Sequence, residues 1–440
     1  MDLGPIKSTE EIVGGGRATL VPRLRIAVIE GDDSGQTFTS TADRVVIGTH
    51  ETADLVLHDA AVSRLHCEIT LVDGRIRIRD LSSKNGTLVA GLAVADAASR
   101  GELLVTVGRT RLRIAPDADP AKVAISDRER VGIMVGRSTA IRRVFASIER
   151  AAACDVTVLV EGETGTGKEA VAESIHGESK RRDKPFMVVD CSAIPRDLLE
   201  SELFGYEKGA FTGAGAARAG IFEAASGGTL LLDEVGELAP ELQPKLLRVL
   251  ERKELRRVGS TRNLAVDVRV IAATNRNLGA EVNAHRFRSD LYYRLAVLEI
   301  RLPPLRERQE DLPLLVEHLC ERLGIEGRPE TEWLRSPGFL EELSHHHWPG
   351  NVRELRNYLE RSAALREAAP LPTSRADNLA PGVDLGRPLR EAQQAWQAHF
   401  ERQYVEEMLR RHGNNVSAAA RASGMDRLTF YRLLWRLGLR

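Results

Sequence analysis

The feature that most constrains the fold is a strand, a glycine-rich loop and a helix in direct succession. The stretch VTVLVEGETGTGKEAVAESIH places Gly162-x-x-x-x-Gly167-Lys168 between an apolar run and a helical run. Glycines let the backbone curl so that its N–H groups face a phosphate, and the N-terminus of the helix favours an anion there. The stretch therefore predicts a phosphate-binding loop in an α/β sheet, with Lys168 reaching the outer phosphates of a nucleotide. A glycine-rich turn without a ligand is the weaker alternative.

Two further apolar runs end in polar residues that suit the same site. TLLLDEV ends in Asp233 and Glu234, and VRVIAATN ends in Thr274 and Asn275. Because ligands bind at the carboxyl ends of parallel strands, these side chains are expected beside the loop. Asp233 suits a Mg²⁺ shell, and Glu234 suits the orientation or deprotonation of an attacking water. Thr274 and Asn275 are placed to sense the γ-phosphate, so the motifs together predict ATP hydrolysis.

The pattern of apolar residues changes along the 440 residues, which predicts a multidomain protein. Short alternating strands broken by Gly, Asp and Asn predict an all-β sandwich over residues 23–115. Continuous apolar strands alternating with amphipathic helices predict a doubly wound α/β domain over residues 133–363. A small all-α domain is expected over residues 389–440, and the polar segments 116–132 and 364–388 are predicted to be linkers.

Charge and composition bound the function classes. The net charge is −1, yet the last thirty residues hold a single acid, Asp426, and six arginines: Arg411, Arg421, Arg427, Arg432, Arg436 and Arg440. Such an end suggests a polyanion partner, with a solvated helix face as the alternative. The four cysteines form no C-x-x-C pair, which argues against a metal site or a disulfide framework. No apolar run reaches membrane-spanning length and the N-terminus lacks a signal-peptide core, so a cytoplasmic protein without a membrane partner is expected.

The stretch EKGAFTGAGAAR carries one aromatic residue, Phe211, and one hydroxyl, Thr212, among small residues. Glycine loses much entropy when it is ordered and alanine offers little to pack, so neither a stable strand nor a core helix is expected. The pattern predicts an exposed Phe-Thr tip on a flexible stalk. Because loops on rigid scaffolds often carry function, a partner contact is preferred over a disordered surface loop.

The C-terminal stretch HGNNVSAAARASGMDRLTFYRLLWRLGLR predicts two helices around a glycine turn. The first covers Val416 to Ala422, Gly424 ends it, and Asp426 can cap the next. The apolar side of the second helix is expected to comprise Leu428, Tyr431, Leu434 and Trp435. The residues available to a DNA groove and its phosphates are Arg427, Thr429, Arg432 and Arg436. This is helix-turn-helix geometry, and a protein-docking helix pair is the alternative.

Seven motifs occur in one order: GETGTGKE, ELFGYEKGAFTGA, GGTLLLDEVGEL, RVIAATN, FRSDLYYRL, LPPLRER and WPGNVREL. They resemble the AAA+ core of the sigma-54-dependent transcriptional activators, the bacterial enhancer-binding proteins. The resemblance implies a P-loop ATPase with an α-helical lid and Mg²⁺ at Asp233. It implies an ATP site at Gly162, Glu163, Thr164, Gly165, Thr166, Gly167, Lys168, Glu169, Asp233, Thr274, Asn275 and the sensor arginine Arg353.

The same resemblance assigns roles outside the phosphate-binding loop. Glu234 is the catalytic carboxylate, and Arg288 and Arg294 resemble arginine fingers that act on a neighbouring subunit. A surface ion pair to Asp290 or Glu299 is the alternative for these arginines. Six residues apart on one helix, they would lie about 240° apart and would therefore serve different contacts. The contact with sigma-54 is implied at Gly209, Ala210, Phe211, Thr212, Gly213 and Ala214.

Two positions in this region depart from common patterns. Glu169 stands where P-loops in general have Ser or Thr on Mg²⁺, which is also the habit of this family. Asp190 stands where the family has an asparagine that holds the catalytic glutamate inactive. Two carboxylates repel unless one is protonated, so we expect the glutamate switch to work differently here.

The N-terminal motifs VVIGTHETADLVLHDAAVSRLHCEI and DLSSKNGTLVAG resemble a forkhead-associated domain. The matching positions are Gly48, Ser63, Arg64, His66, Asn85 and Gly86. The resemblance implies that Ser63 and Arg64 contact phosphothreonine, Asn85 contacts the peptide backbone and His66 is structural. Thr49 stands where the family has a phosphate-binding arginine, and losing a charge-assisted bond of about 1.5–3 kcal/mol weakens binding about tenfold or more. Phosphothreonine binding and a constitutive or intramolecular contact both stay open.

Together the parts predict an ATP-hydrolysing activator that binds double-stranded upstream DNA. The C-terminal domain resembles the Fis type, which implies dimers, and the AAA+ core implies assembly up to a hexameric ring. The implied partners are sigma-54 RNA polymerase holoenzyme, whose closed complexes the ring remodels, and a Ser/Thr kinase or a phosphothreonine protein. Two rivals are a DNA-binding adaptor that uses ATP only to set its oligomeric state, and an AAA+ unfoldase.

Overall fold

The computed structural model describes residues 11–13, 16–72, 74–212 and 214–369. Near the C-terminus it describes residues 401–402, 404–405, 408–409, 412, 415–425 and 427–436. The chain forms two compact units, Met1–Ala369 and Pro370–Arg440. Within these described ranges, no helix combines the length and apolar character needed to cross a bilayer.

In the described part of the chain, sixteen strands precede the first helix. They are β1 Glu11–Val13, β2 Gly16–Val21, β3 Leu24–Glu30, β4 Thr37–Thr39, β5 Arg44–Gly48, β6 Leu55–Val56, β7 Cys67–Val72, β8 Arg75–Asp80, β9 Thr87–Val89, β10 Leu92–Val94, β11 Asp96–Arg100, β12 Leu103–Val107, β13 Thr110–Pro116, β14 Ala121–Ile125, β15 Arg130–Val131 and β16 Met134–Val135. Eleven of them form two sheets, ordered β10-β9-β12-β13-β3-β4 and β11-β8-β7-β5-β6. Alternate residues such as Ile26, Ile47, Ile69 and Leu112 are fully buried in one shared core, as the alternating pattern predicts.

A third, small sheet lies partly inside the segment predicted to be a linker. Strand β14 pairs antiparallel with β2, which pairs in turn with β1. The linker prediction for 116–132 thus missed a strand, because AKVAI is short and lies between charged and polar stretches. β15 and β16 form a further two-stranded hairpin just before the α/β domain.

The α/β domain contains β17 Val158–Glu161, β18 Phe186–Asp190, β19 Thr229–Asp233, β20 Glu254–Leu255, β21 Leu264–Ala265, β22 Arg269–Thr274 and β23 Leu298–Arg301. Five of these strands form a parallel sheet in the order β18-β19-β22-β17-β23. Successive residues join different cores: Leu231 packs with one cluster, whereas Leu230 and Leu232 pack with the other. The sheet is therefore buried on both faces, which explains its continuous apolar strands.

Helices cover both faces of the sheet and continue into a lid. They are α1 Thr139–Ala153, α2 Lys168–Gly177, α3 Arg196–Phe204, α4 Ile221–Ala224, α5 Gln243–Arg252, α6 Leu278–Asn283, α7 Ser289–Leu295, α8 Leu312–Arg322, α9 Pro337–Ser344 and α10 Asn351–Leu365. The last three form the α-helical lid. Trp348 is fully buried there and donates its indole N–H to the Leu343 carbonyl at 2.9 Å, which fixes the turn between α9 and α10.

The C-terminal unit contains α11 Val416–Ala422 and α12 Arg427–Arg436. Gly424 between them has a φ of +68°, so the predicted glycine turn is confirmed. Phe430 and Leu434 are fully buried against α11 and Val405, and Phe430 is a core residue that the sequence reading missed. The predicted helix start near Leu389, the Asp426 cap and the side chains of Leu428 and Trp435 lie outside the described residues.

Candidate active site

The phosphate-binding loop starts at Gly162, directly after β17 ends at Glu161. Gly165 and Gly167 have φ values of +80° and +108°, a left-handed conformation that favours glycine. Thr166 turns inward, and its hydroxyl donates to the Glu163 carbonyl at 2.7 Å. A Cβ at Gly165 would lie 2.2 Å from the Gly350 carbonyl oxygen of the lid. Both backbone angle and close approach therefore require glycine at Gly165.

The sheet edge brings the predicted residues of three strands together. Lys168 Nζ lies 3.2 Å from Glu234 Oε1 and donates to the Gly162 carbonyl at 3.2 Å. The other Glu234 oxygen accepts from the Asn275 backbone N–H at 3.0 Å. Asn275 Nδ2 donates to the Thr164 hydroxyl at 3.0 Å. The arrangement joins the loop, the carboxylate and the third strand end in one hydrogen-bonded set.

Glu234 is held in an unusual backbone conformation. Its φ is +49°, in the left-handed region that non-glycine residues seldom adopt. The conformation turns its carboxylate toward Lys168 and Asn275 directly after β19 ends at Asp233. Strained residues of this kind cluster at functional sites, which supports the choice of Glu234 from the sequence.

Asp233 has the surroundings of a cation ligand. Burial raises the pKa of its carboxyl group, and the neighbouring Glu234 raises it further, although the Glu234 backbone N–H donates to it at 3.0 Å. A divalent cation would favour the charged form. Within the described ranges no group of three His, Cys, Asp or Glu side chains could hold a metal ion by itself, so Asp233 suits Mg²⁺ only as one ligand beside phosphate and water oxygens. Thr274 is fully buried and its hydroxyl accepts from the Arg276 N–H at 3.1 Å, while Glu169 is exposed in the first turn of α2.

Asp190 and Glu234 have separate partners. Asp190 Oδ1 accepts from the Ser192 hydroxyl at 2.6 Å and from the Ser192 N–H at 2.8 Å. The Ser192 hydroxyl contributes most to lowering the pKa of Asp190. Burial first, and then the charges of Asp190, Asp233 and Glu234, raise the pKa of the Cys191 thiol to about 12, and Asp190 lies opposite Asp233 on the neighbouring strand. An ionised Asp190 cannot donate to Glu234, whereas an asparagine amide can.

The two predicted arginine fingers lie at opposite ends of α7. Arg288 is the residue before α7, with extended backbone, and Arg294 lies in the last turn of that helix. Arg288 forms a bidentate ion pair with Asp290 at 2.7 and 3.0 Å, which is the alternative partner named from the sequence. Arg294 donates to the Leu250 carbonyl at 3.3 Å. Arg288 thus lies just before the helix rather than inside it, but the two arginines do have different contacts, as their spacing predicted.

Lid residues hold the phosphate-binding loop from the opposite side. Arg306 forms a bidentate ion pair with Glu163 at 2.6 and 2.8 Å. Asn351 is fully buried, and its amide donates to the Thr164 carbonyl at 3.1 Å. Sequence reasoning missed both residues, and their only signal was their position inside LPPLRER and WPGNVREL.

A third lid residue that contacts the loop, Arg308, also went unpredicted. Arg308 is 2% exposed, and its guanidinium donates to the Thr166 carbonyl at 3.0 Å. Burial lowers the pKa of this arginine to about 10. Arg353, the predicted sensor arginine, donates its backbone N–H to the Gly165 carbonyl at 3.3 Å, and its exposed side chain lowers the pKa of Asp190. The lid therefore contacts three successive carbonyls of the loop, those of Thr164, Gly165 and Thr166.

The loop with the Phe-Thr tip is more constrained than a flexible stalk. Tyr206 and Arg218 exchange two backbone hydrogen bonds of 2.9 Å at its base. Gly209 donates to the Ala214 carbonyl at 2.9 Å, and Ala214 is buried. Phe211 is 44% exposed, with its ring centroid 5.0 Å from that of Tyr206. Thr212 is exposed, Ala210 donates to the Glu207 carbonyl, and Gly213 lies outside the described residues.

The loops of the sandwich gather the N-terminal candidates. His66 is fully buried; its Nδ1 accepts from the Ser63 N–H at 3.0 Å and its Nε2–H donates to the Gly86 carbonyl at 3.1 Å. The Ser63 hydroxyl accepts from the Lys84 N–H at 2.9 Å, and the Asn85 amide donates to the Ala61 carbonyl at 2.6 Å. His66 thus ties together the two loops that carry the predicted peptide contacts.

The predicted DNA contacts lie on α12. Thr429, Arg432 and Arg436 are exposed, and Arg436 forms an ion pair with Glu401. The side chain of Arg427 lies outside the described residues. The exposed arginines follow one another at a spacing of four, which places them on one side of a helix.

Comparisons with known proteins assign these parts to families. The profile of the family described as "Sigma-54 interaction domain" matches residues 134–301. Those of "AAA+ ATPase lid domain" and "Bacterial regulatory protein, Fis family" match residues 306–381 and 397–435. The transcriptional regulatory protein ZraR of Escherichia coli K12 is 42% identical over 317 residues, covering 69% of this chain and 68% of ZraR. The chain belongs to the sigma-54-dependent transcriptional regulators.

Three further similarities concern a relative, a solved structure and the N-terminal part of the chain. The Nif-specific regulatory protein of Azotobacter vinelandii is 48% identical over 308 residues, and the match covers 68% of this chain and 58% of that protein. The crystal structure of NtrX from Brucella abortus in complex with ATP matches at 36% identity and a TM-score of 0.51, covering 69% of each chain. Residues 27–118 match the profile described as "Inner membrane component of T3SS, cytoplasmic domain".

We predict that Asp190→Asn lowers basal ATP turnover by about three- to tenfold, since a neutral amide can donate to Glu234 and compete with Asn275. The measurement is steady-state phosphate release at saturating ATP. The matched control is Asp183→Asn, which should leave turnover unchanged. The Asp183 side chain is 87% exposed and pairs with the neighbouring Arg182. Equal turnover in all three proteins contradicts the prediction.

Proposed function

We propose that the chain is an ATP-driven activator of sigma-54 RNA polymerase that binds upstream DNA and assembles as a ring of up to six subunits. The observation that carries this proposal is the joining of Lys168, Glu234 and Asn275 at one sheet edge beside the phosphate-binding loop. A DNA-binding adaptor that only binds ATP has no need of a positioned carboxylate. The arrangement favours hydrolysis over that alternative.

Each residue has a task in the proposed reaction. Lys168 and the loop N–H groups bind the phosphates, and Glu234 orients the attacking water. Asp233 would hold Mg²⁺, which neutralises charge on the β- and γ-phosphates when it is bound. Arg288 and Arg294 act on the nucleotide of a neighbouring subunit. Asn275 links Glu234 to Thr164 and so reports the state of the phosphate site to the loop.

A short path leads from this site to the Phe-Thr loop. β18 ends at Asp190, α3 begins at Arg196, and α3 ends at Phe204 directly before the loop. The base of the loop is also held by Arg257, which pairs with Glu223 at 2.7 Å and with Glu207 at 3.3 Å. A shift at the site can therefore move the tip, and Phe211 and Thr212 are the residues we propose to contact sigma-54.

We predict that Thr212→Ala keeps ATP turnover and loses open-complex formation, because an exposed hydroxyl at the loop tip lies away from the nucleotide site. Glu234→Ala should bind ATP without turning it over. The measurements are ATP binding, phosphate release and in vitro transcription with sigma-54 holoenzyme. Thr37→Ala, an exposed threonine on the sandwich, is the control that should retain every activity. Loss of turnover in Thr212→Ala contradicts the loop assignment.

The helix-turn-helix is proposed to read a pseudo-palindromic upstream site with α12. We predict that Arg432→Ala weakens DNA binding across sequences and lowers the slope of log affinity against log salt by about one, because one phosphate contact is lost. Fluorescence anisotropy at several salt concentrations measures both quantities. The control is Ser417→Ala, which changes a half-buried residue of α11 without removing a charge. An unchanged salt slope in Arg432→Ala contradicts a phosphate contact.

The sandwich is proposed to connect the activator to phosphothreonine signalling from a Ser/Thr kinase. Ser63, Arg64 and Asn85 lie on loops that His66 holds together, which supports a preformed peptide site. Thr49 lies beside them, and its N–H donates to the Ser63 carbonyl at 3.1 Å. An arginine at Thr49 would bring a second guanidinium to that loop.

We predict that the full chain prefers a phosphothreonine peptide pool over the matched unphosphorylated pool, and that Ser63→Ala removes the preference. Thr49→Arg should raise affinity for the phosphorylated pool by about tenfold, through one added charge-assisted bond. Calorimetry measures both, with Thr39→Arg on β4 as a control for added charge. Equal affinity for the two pools in the unchanged protein and in Thr49→Arg contradicts phosphothreonine recognition.

A further inference from the structure

The loop end of the sandwich packs against the ATPase domain at the start of α7. Arg64 Nη1 donates to the Ser289 hydroxyl at 2.7 Å. The His50 ring stacks on Tyr293 with centroids 3.8 Å apart and an interplanar angle of 11°. Arg64, which is proposed to bind phosphate, is thus hydrogen-bonded to the ATPase domain at Ser289, the residue after the proposed finger Arg288.

A backbone clamp strengthens this contact. Asn283 at the end of α6 donates its amide to the Leu81 carbonyl at 2.7 Å and also to the Leu65 carbonyl. The side chains of Leu65 and Leu81 are 3% and 2% exposed, and both belong to the core of the ATPase domain rather than to that of the sandwich. Gly279 makes room for them, since a Cβ there would lie 3.1 Å from Leu65 Cδ1.

Charged residues join the two domains behind the clamp. Glu68 of the sandwich is 5% exposed in its side chain and pairs with Arg44 and with Arg301 of β23. Burial alone would raise the pKa of Glu68, but the two arginines outweigh it and lower the pKa. Arg301 also pairs at 2.8 Å with Glu161, the last residue before the phosphate-binding loop. The interface therefore reaches the base of the nucleotide site.

We propose that this sandwich face is an intramolecular docking surface for residues 279–301, and that docking excludes both phosphopeptide binding and ring assembly. The bond to Ser289 holds the Arg64 guanidinium against the ATPase domain, so a phosphopeptide at the sandwich loops would compete with that domain for it. The segment that holds Ser289 and Tyr293 also carries Arg288 and Arg294. The role of these two arginines at a neighbouring subunit rests on the proposed function. Both arginines stay exposed beside the docked sandwich, so the sandwich would obstruct a neighbouring subunit by its bulk next to them. The sandwich therefore represses, and a phosphothreonine ligand releases it.

The test compares full-length variants that weaken docking without touching the nucleotide site. Asn283→Ala removes the clamp, and Ser289→Ala removes the partner of Arg64. Asn263→Ala is the control, because that side chain bonds Arg248 and Glu254 within the ATPase domain. We expect both docking variants to reach half-maximal ATPase activity and assembly at a protein concentration about tenfold lower than the unchanged protein and the control.

Two further readouts separate docking from other effects. Affinity of Asn283→Ala for a phosphothreonine peptide pool should rise about tenfold, since Arg64 no longer has to leave Ser289 first. Sedimentation velocity with ATP and Mg²⁺ reports assembly without needing turnover. If none of the proteins hydrolyses ATP, the proposed function is contradicted, but the assembly measurement still tests the docking proposal. Unchanged assembly in both variants, or weaker assembly with an unchanged melting temperature, overturns the proposal.

Discussion

The parallel register of the central sheet is the constraint on which the site depends. It sets Glu161 of β17 opposite Thr274 of β22, and Asp190 of β18 opposite Asp233 of β19. Because hydrogen bonds along each strand fix this register, the chain leaves the sheet at the same level at the ends of all four strands. The phosphate-binding loop, the carboxylates and Asn275 then meet without any one of them having to reach far.

The sequence could predict this edge because its signals are local. A buried parallel strand needs a continuous apolar run, and a polar residue directly after such a run marks the sheet edge. Helix boundaries are weaker signals, so Arg288 was placed inside α7 rather than before it. The lid contacts of Arg306 and Asn351 join residues far apart in the chain, and no local pattern indicates which loop a distant side chain reaches.

The sandwich shows a second limit of sequence reasoning. Alternation along β5 places Val45 and Ile47 on one face and Val46 on the other, but it cannot indicate that Val46, together with Leu65 and Leu81 from two loops, is buried in another core. All three pack with the ATPase domain, whereas Val45 and Ile47 on either side of Val46 belong to the sandwich core. One short strand thus serves two domains through its two faces. A domain boundary drawn along the chain therefore does not coincide with the boundary between the hydrophobic cores.

The backbone of Glu234 carries a consequence for how this site can change over time. A left-handed φ costs a residue with a side chain of order 1–3 kcal/mol, a penalty that glycine avoids. Random substitution followed by selection for stability alone would replace this glutamate with glycine. Glycine there would relieve the backbone strain and remove the carboxylate that pairs with Lys168. Stability and the chemistry of the site therefore favour different residues at position 234.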